Sequence, residues 1–160
     1  MNIRTGFGFD VHQLAKSEEL WLGGILVPHE KGAVGHSDAD VLIHVICDAL
    51  LGAANMRDIG FHFPDTAAEY KGIDSKKLLR EVMKMLRDNH WEVGNIDSTI
   101  CLELPKINPH VKEMKTCLAG VMEIPEDDIS IKATTTERLG YVGRQEGIAA
   151  FATVLIRKLD

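Results

Sequence analysis

The chain has 160 residues, of which 45% are hydrophobic and 26% are charged. This composition is typical of a globular protein, and the length predicts a single domain over residues 1–160. The formal net charge of -6 at pH 7 argues against a nucleic-acid partner held by a basic surface. The first residues lack a signal-peptide core and no apolar run approaches a membrane span, so we expect a cytoplasmic protein without a membrane partner.

The first third of the chain predicts two strands and a helix. Residues 3–10 and 20–27 are rich in strand-forming residues, and a polar loop is expected over residues 28–37. Ser37 or Asp38 is expected to cap a helix that ends near residue 54. The apolar residues of this helix recur at helical spacing, and they are Val41, Leu42, Val45, Ile46, Ala49, Leu50 and Ala53.

The middle of the chain predicts a long loop, a helix and a strand. Residues 55–72 contain glycine and proline without a regular period, and a loop of this length in a compact domain is typically functional. Residues 75–89 predict a helix with Asp74 as its cap. Residues 93–104 alternate between apolar and polar side chains, which indicates a strand.

The last third predicts a helix between strands. Asn108 followed by Pro109 is typical of a helix start, and strands over residues 129–135 and 147–159 flank a glycine-containing turn. The element order predicts an α/β (α+β) sandwich, in which a mixed β-sheet is covered by helices on one face. Three helices do not cover both faces of a sheet, so we expect the open face to pack on another subunit.

Asp10 and His12 are the first candidates for metal chemistry. They lie two residues apart on a strand, so they project from one face, and both side chains bind zinc. Taken alone, such a pair is more often a plain pair of surface residues at a strand end. His44 lies in the apolar helix one turn from Asp40 and from Asp48, and a local pairing with a carboxylate is its structural alternative. If His44 meets Asp10 and His12, the three ligands leave a fourth tetrahedral position open, as catalytic zinc requires.

Polar residues beside helix and strand ends are candidates for binding anions. His36 and Ser37 precede a helix N-terminus, where free N–H groups favour a phosphate, although Ser37 also fits a plain cap. Glu137 follows three threonines and could hold a hard cation that bridges a diphosphate. The threonines offer hydroxyls to anionic oxygens but are also ordinary strand residues, and they are Thr134, Thr135 and Thr136.

Three further segments are candidates for sugar and base recognition. A carboxylate beside a glycine, as in residues 58–60 (Asp-Ile-Gly), is able to accept from vicinal hydroxyls, and residues 63–65 (Phe-Pro-Asp) lie in the same loop. Residues 104–106 (Leu-Pro-Lys) leave a strand, where exposed backbone groups could read a base edge. The sequence contains no Walker A, G-x-G-x-x-G, H-E-x-x-H or G-x-S-x-G motif, so P-loop ATP use and serine-type covalent catalysis have no support.

Taken together, these segments resemble the 2-C-methyl-D-erythritol 2,4-cyclodiphosphate synthase family over nearly the whole chain. Their order and separation carry the resemblance, and the segments are residues 8–12 (Gly-Phe-Asp-Val-His), 36–41, 48–53, 58–60, 63–66, 132–137, 143–144 and 146–147. The resemblance implies a phosphorus–oxygen lyase of the non-mevalonate isoprenoid pathway. In this reaction the 2-phosphate of 4-diphosphocytidyl-2-C-methyl-D-erythritol 2-phosphate attacks the β-phosphate, which releases CMP and leaves the cyclic diphosphate.

The resemblance also implies the cofactors and the assembly. Asp10, His12 and His44 would be zinc ligands, and Glu137 would hold a second divalent cation, Mg²⁺ or Mn²⁺. The family forms homotrimers in which each active site lies between two subunits and the sheets pack around the trimer axis.

The resemblance assigns roles to the remaining candidates. His36 and Thr135 would be catalytic residues at the phosphates. The other expected substrate-binding residues are Ser37 and Thr134 for phosphates, Asp58, Ile59, Gly60, Phe63, Pro64 and Asp65 for the erythritol, Leu102, Leu104, Pro105 and Lys106 for the cytosine, and Thr136 without an assigned group. Tyr141 and Arg144 complete the set, with Arg144 either near the threefold axis or on a phosphate.

Two other functions stay open at this point. A zinc phosphodiesterase would deliver water to the same kind of nucleotide and release a linear bisphosphate. A non-catalytic trimeric binding module would hold a structural metal, for which a fourth protein ligand is expected.

Overall fold

The computed structural model describes residues 2–64, 66 and 68–159. It contains seven strands within these residues: β1 (Ile3–Lys16), β2 (Leu20–Leu22), β3 (Ile25–Val27), β4 (Lys31–Val34), β5 (Trp91–Cys101), β6 (Ile129–Thr134) and β7 (Gly147–Lys158). The helices are α1 (Val41–Ala53), α2 (Ile59–His62), α3 (Ser75–Asp88), α4 (Val111–Met122) and α5 (Gly140–Gly143), together with three single 3₁₀ turns. None of the described helices has both the length and the apolar content needed to cross a membrane.

Five strands form one mixed sheet in the order β4-β1-β7-β5-β6, and β2 and β3 form a separate hairpin. β1 pairs antiparallel with both β4 and β7, and β7 pairs antiparallel with β5. β5 and β6 are parallel, and their connection runs through α4. β1 and β5 therefore run in the same direction on either side of β7.

The hydrophobic core lies between the sheet and the helices. All residues of α1 except Asp48 and Gly52 are buried, as expected of a helix that is apolar on every side. α1 contacts β1, β7 and α3, while α3 and α4 contact β5 and β6 respectively. The helices thus cover one face of the mixed sheet, which confirms the fold class expected from the sequence.

The other face of the sheet is open in the single chain. Alternate residues of β1 point away from the helices, and Phe7, Phe9 and Val11 expose 65%, 49% and 43% of their surfaces. The ring of Phe9 packs beside Phe151 of β7 with 5.0 Å between their centroids. None of the described helices covers this apolar face of the sheet.

The expected N-terminal elements need three corrections. β1 extends to Lys16 because its second half pairs with β4, a short strand in the region that was expected to be a loop. Residues 20–27 form a hairpin rather than one strand, since Gly23 and Gly24 turn the chain with positive φ angles of 59° and 81°. Asp40, not Ser37 or Asp38, caps α1, because its carboxylate accepts the Ile43 N–H at 3.0 Å.

Later elements differ in smaller ways. The expected loop over residues 55–72 contains the one-turn helix α2, which Asp58 caps by accepting the Phe61 N–H. Asn108 begins a 3₁₀ turn without capping it through its side chain, and α4 starts at Val111. The expected turn over residues 139–143 contains α5. The predicted α3 with its Asp74 cap is confirmed, apart from one residue at its end.

Candidate active site

The backbones of β1 and α1 approach each other closely at two glycines. A Cβ atom at Gly6 would lie 1.9 Å from the carbonyl oxygen of Ala49, and one at Gly8 would lie 2.1 Å from that of Val45. Gly6, Gly8, Asp10 and His12 share one face of the strand because side chains alternate. The helix therefore runs along this face, and it brings His44 to the end of the strand that carries Asp10 and His12.

The three expected metal ligands meet in the folded chain. His12 Nε2 lies 3.0 Å from Asp10 Oδ2, and His44 Nδ1 lies 3.1 Å from the same oxygen. The two imidazole nitrogens are 3.1 Å apart. These atoms form the only group of three or more His, Cys, Asp or Glu ligands close enough to share a metal among the described residues.

This triangle of atoms fits a tetrahedral zinc ion. Zinc binds imidazole nitrogen and carboxylate oxygen at about 2.0–2.1 Å, which places neighbouring tetrahedral ligands about 3.3 Å apart. The observed edges of 3.0 and 3.1 Å need only a slight expansion. With three protein ligands among the described residues, the fourth position is left to a non-protein ligand, which is typical of a catalytic rather than a structural zinc site.

Hydrogen bonds to the outer nitrogens orient both imidazoles. His12 Nδ1 lies 3.1 Å from the Val34 carbonyl oxygen, so this nitrogen carries a proton and donates. His44 Nε2 lies 3.1 Å from the hydroxyls of Ser37 and Ser75. When His12 is neutral, its Nε2 lone pair is therefore directed into the group of ligand atoms, as a shared cation requires.

The electrostatics of the ligand group keep Asp10 ionised. Burial opposes the charge on Asp10, but hydrogen bonds and charge from His12 and His44 outweigh burial and lower the pKa of this carboxyl. Burial also opposes the charge on His12, yet the hydrogen bond to Asp10 and its charge raise the pKa of His12 above the ordinary value. Asp10 is thus present as the carboxylate that a metal requires.

A cavity of about 320 Å³ opens beside His12 and His44. Its lining includes five residues expected to bind substrate or act in catalysis, namely His36, Ser37, Ile59, Gly60 and Phe63. Tyr70, Ile73 and Leu78 also line it, and the sequence did not predict them because no motif or spacing shows that these residues face the same cavity as His44. The Phe63 and Tyr70 rings meet edge to face with 5.6 Å between centroids, so one wall of the cavity is aromatic.

Two carboxylates hold the loop that forms this wall. Asp48 on α1 accepts the Ile59 N–H at 2.8 Å, and Asp58 accepts the Phe61 N–H at 3.0 Å. Asp58 is exposed next to the cavity, while Pro64 is exposed and is not part of the described lining. The expected substrate ligand Asp65 lies outside the described residues.

A second cavity of about 270 Å³ lies where β5 and β6 end. Its described lining is Leu102, Pro105, Lys106, Ile107, Asn108, Ala133, Thr134 and Thr135. Leu104 precedes a cis peptide bond to Pro105, is 43% exposed and does not belong to the described lining, and its contact with a base stays a prediction. The cavity lies between two segments for which the sequence predicted different ligands. One segment was predicted to bind a base and the other to bind phosphates.

Neither described lining contains a residue of the other cavity. Asp10 and Ile100 both pair with Ala150 of β7, so β1 and β5 are separated by one intervening strand. Two strand spacings correspond to about 10 Å across the sheet. A single chain thus presents the metal ligands and the second cavity as neighbouring but distinct surfaces.

Glu103 organises the turn that carries Glu137. One oxygen of Glu103 accepts the Thr136 N–H at 3.0 Å and the Arg138 N–H at 3.1 Å. These bonds lower the pKa of Glu103, so the carboxylate stays charged. Glu137 and Arg138 have positive φ angles of 52° and 64°, and the Thr135 hydroxyl donates to the Glu137 carboxylate at 3.4 Å. Sequence reasoning did not nominate Glu103, because nothing in a strand pattern shows that its carboxylate faces this turn.

Three other expected substrate ligands lie outside both cavities. Thr136 donates its hydroxyl to the Leu139 carbonyl and, with Tyr141, lines an apolar depression at the open face of the sheet. Arg144 is exposed and forms a two-pronged ion pair with Glu146, with both distances at 3.0 Å. In the single chain, these residues do not join the metal ligands.

A larger cavity of about 560 Å³ lies beyond Ser37 and Asp38, and its described lining includes none of the three metal ligands. Among the described residues, four carboxylates and one lysine line it, from Glu18, Glu19, Asp38, Asp74 and Lys76. This charge pattern disfavours a phosphate-rich ligand. The smaller cavity beside His44 is therefore the better candidate for the active site, despite its size.

The fold and the site define an α+β protein in which two histidines and one aspartate, able together to hold a metal, lie beside a cavity of about 320 Å³. The chain belongs to the YgbB family, whose model matches residues 3–157. It is 67% identical to 2-C-methyl-D-erythritol 2,4-cyclodiphosphate synthase of Parabacteroides distasonis over 99% of both chains. The family expected from the sequence motifs is thereby confirmed.

Solved structures support the same relationship. The chain is 38% identical to part of the bifunctional IspDF from Campylobacter jejuni, with a TM-score of 0.96; the match covers 99% of this chain and 43% of that one. It is 31% identical to IspF from Plasmodium falciparum, solved in a complex with CDP, with a TM-score of 0.87 and coverage of 99% and 98%. The α+β architecture is thus the architecture of this family.

Proposed function

We propose that this chain is a cyclodiphosphate synthase of isoprenoid precursor biosynthesis. It converts 4-diphosphocytidyl-2-C-methyl-D-erythritol 2-phosphate to 2-C-methyl-D-erythritol 2,4-cyclodiphosphate and CMP. The observation that carries the proposal is the convergence of Asp10, His12 and His44 beside a cavity, in a chain 67% identical over its length to a synthase of that name.

The cavity beside the metal ligands suits the erythritol and its phosphates. Ile59, Gly60 and Phe63 offer apolar walls and an accessible backbone, and Asp58 supplies a carboxylate for the sugar hydroxyls. Pro64 and Asp65 belong to the same proposed subsite. His36 and Ser37 precede α1 and contribute polar groups for a phosphate at the metal-ligand side.

The second cavity suits the cytidine end of the substrate. Leu102, Pro105 and Lys106 form one side of it, and Thr134 and Thr135 form the other. The CDP complex of the Plasmodium falciparum relative is consistent with a nucleotide-binding role for a protein of this fold. Glu137 follows these threonines, and we assign it to the second divalent cation, with Thr136, Tyr141 and Arg144 as more distant members of the site.

The reaction needs positioning and charge neutralisation more than a base. An oxygen of the 2-phosphate forms a bond to the β-phosphorus, and the bond from that phosphorus to the bridging oxygen breaks with its electron pair passing to CMP. The 2-phosphate is already an anion near neutral pH, so no strong general base is required. When bound, zinc at the triad and Mg²⁺ or Mn²⁺ at Glu137 would supply Lewis-acid stabilisation of the crowded phosphate oxygens. The chain's own contribution is to hold the substrate folded back on itself.

A homotrimer with shared active sites completes the proposal. His36 and Thr135, the two proposed catalytic residues, line different cavities of one chain. Juxtaposing the first cavity of one subunit with the second cavity of its neighbour would let one substrate contact both residues. The exposed apolar face around Phe7 and Phe9 supplies a surface for such packing. The cytoplasmic location expected from the sequence stays a prediction.

The test is product analysis by ³¹P NMR. Zinc- and magnesium-loaded protein is incubated with the proposed substrate, beside His44→Ala as the variant that lacks one metal ligand. Two coupled diphosphate resonances plus CMP, lost in His44→Ala, are the expected result. A linear bisphosphate would identify a phosphodiesterase instead, and no turnover by the zinc-loaded protein would favour a binding module.

A further inference from the structure

His44 contacts polar groups on both sides of its ring. Nδ1 points to Asp10 at the metal site, while Nε2 lies 3.1 Å from the Ser75 hydroxyl oxygen. Ser75 is the first residue of α3 and is completely buried. It lies 31 residues from His44 in sequence, so their contact exists only in the folded chain.

Asp38 accepts the one proton that the Ser75 hydroxyl can donate. One oxygen of Asp38 accepts the Ser75 hydroxyl proton in a short hydrogen bond, and the other accepts the Ser75 N–H at 2.9 Å. A serine hydroxyl has one proton to donate. Because Asp38 takes that proton, the Ser75 oxygen faces His44 as an acceptor, and Nε2 of His44 must be the donor.

Ser37 does not determine which nitrogen of the His44 imidazole carries the proton. Its oxygen also lies 3.1 Å from His44 Nε2 and accepts the Ala39 N–H at 3.1 Å, but its own proton has no carboxylate partner among the described hydrogen bonds. The Ser37 hydroxyl is therefore able to turn toward the cavity that it lines. Ser75 is the neighbour whose hydrogen-bond direction is determined.

We propose that Asp38 and Ser75 are a positioning pair for the metal ligand His44. The series of hydrogen bonds from His44 to Ser75 to Asp38 holds the proton on His44 Nε2. The lone pair of His44 Nδ1 is therefore directed at the metal site. The pair itself touches neither substrate nor metal. This inference rests on the proposed zinc site and adds two residues to the apparatus that maintains it.

The same pair also anchors the end of the active-site loop, so a test must separate two roles. The Asp38 N–H donates to the Ile73 carbonyl at 3.1 Å, and the Gly72 N–H donates to the His36 carbonyl at 2.7 Å. A purely structural pair would affect folding without changing the affinity of the folded protein for zinc. Zinc affinity is thus the decisive readout, measured on protein whose fold is checked by its thermal transition.

The experiment compares Asp38→Asn and Ser75→Ala with Asp74→Asn. Asp74 is the cap of the same helix, where it accepts the Lys76 N–H at 2.9 Å without contacting a metal ligand. In Asp38→Asn, the new amide is able to donate to the Ser75 oxygen, which would turn the serine proton toward His44 Nε2. Zinc affinity is measured by competition with a chromophoric chelator.

We expect zinc affinity to fall about 10- to 100-fold in Asp38→Asn and Ser75→Ala, the range seen for outer partners of metal-bound histidines. Asp74→Asn should stay within about twofold of wild type. In ¹H–¹⁵N spectra of the zinc-loaded protein, the His44 Nε2–H resonance should shift in the first two variants only. Folded variants that bind zinc as tightly as wild type would overturn the pair while leaving the proposed function intact. A wild-type protein without zinc affinity would overturn both.

Discussion

Gly8 of β1 lies directly beneath the backbone of Val45, and a Cβ atom at Gly8 would come within 2.1 Å of the Val45 carbonyl oxygen. Gly6 has the same relationship to Ala49, one helical turn further along α1. The strand and helix backbones thus pack without side chains between them at these two points. His44, one residue before Val45, is carried by this contact to the metal-ligand side of β1.

Gly8→Ala should strongly destabilise the fold. The added methyl meets a helix backbone, which cannot move without disturbing the core, so we expect a loss of about 3 kcal/mol or more in the free energy of unfolding. Gly120→Ala is the control, because Gly120 lies in α4 with nothing within 4 Å of an added Cβ. That variant should gain about 0.5–1 kcal/mol. Urea denaturation of both measures the difference, and a Gly8→Ala protein of wild-type stability would contradict the packing.

Asp40→Ala should lower the free energy of unfolding more than most substitutions of a polar residue in this chain. The buried carboxylate of Asp40 accepts the N–H groups of Gly23, Gly24 and Ile43 at 2.9, 2.7 and 3.0 Å. Removing it leaves three N–H groups without their partner, which should cost about 3 kcal/mol or more. Asp74→Ala removes a partly exposed cap and should cost about 1 kcal/mol. Urea midpoints of equal value in the two variants would contradict the role assigned to Asp40.

Zinc should stabilise the folded protein through the triad. A ligand present at 100 times its dissociation constant adds about 2.7 kcal/mol when it binds only the folded state. Calorimetry with and without zinc should therefore show a higher transition temperature in the zinc-loaded wild type, and no zinc-dependent rise in His12→Ala. His29→Ala is the control, since His29 is not part of the ligand group. A zinc-dependent rise that survives in His12→Ala would exclude the proposed site.

Glu103 should affect substrate binding without touching the metal ligands. Glu103→Ala removes the acceptor of the Thr136 and Arg138 N–H groups, so the turn carrying Glu137 loses its support. We expect KM for the proposed substrate to rise roughly tenfold, because a less ordered turn loses more conformational entropy when substrate binds. Glu103→Gln keeps an acceptor oxygen and should stay within about threefold of wild type. Steady-state kinetics measure KM for both variants. An unchanged KM in Glu103→Ala would show that Glu103 does not support substrate binding.

The support from Glu103 should also depend on pH. Hydrogen bonds from the backbone of Arg138 and Thr136 lower its pKa below the ordinary value of 4.5. A carboxyl whose folded-state pKa is lowered stabilises the fold above its unfolded-state pKa, and this contribution disappears as the pH falls through the folded-state pKa. The difference in unfolding temperature between wild type and Glu103→Ala should be constant above about pH 5 and shrink at lower pH. A difference that grows on acidification would contradict this assignment.

Features that depend on neighbours along the chain could be predicted without the folded structure. The two-residue spacing of Asp10 and His12 places both side chains on one face of a strand, whatever the strand pairs with. The cap of Asp74 and the helical period of the following residues predicted α3 almost to the residue. Local motifs in a fixed order were also sufficient to indicate the family, because each motif is a short segment that can be read without coordinates.

Relationships between segments that are distant along the chain became visible in the folded structure. The convergence of His44 with Asp10 and His12 depends on the backbone contact at Gly8, and no spacing encodes that contact. β4 has little strand character of its own and is a strand because β1 offers it a pairing partner. Asp40, rather than the predicted Ser37 or Asp38, caps α1 because its buried carboxylate lies among three N–H groups. Non-local hydrogen bonds and packing determine which pairings, caps and contacts form, because local propensity alone does not specify them.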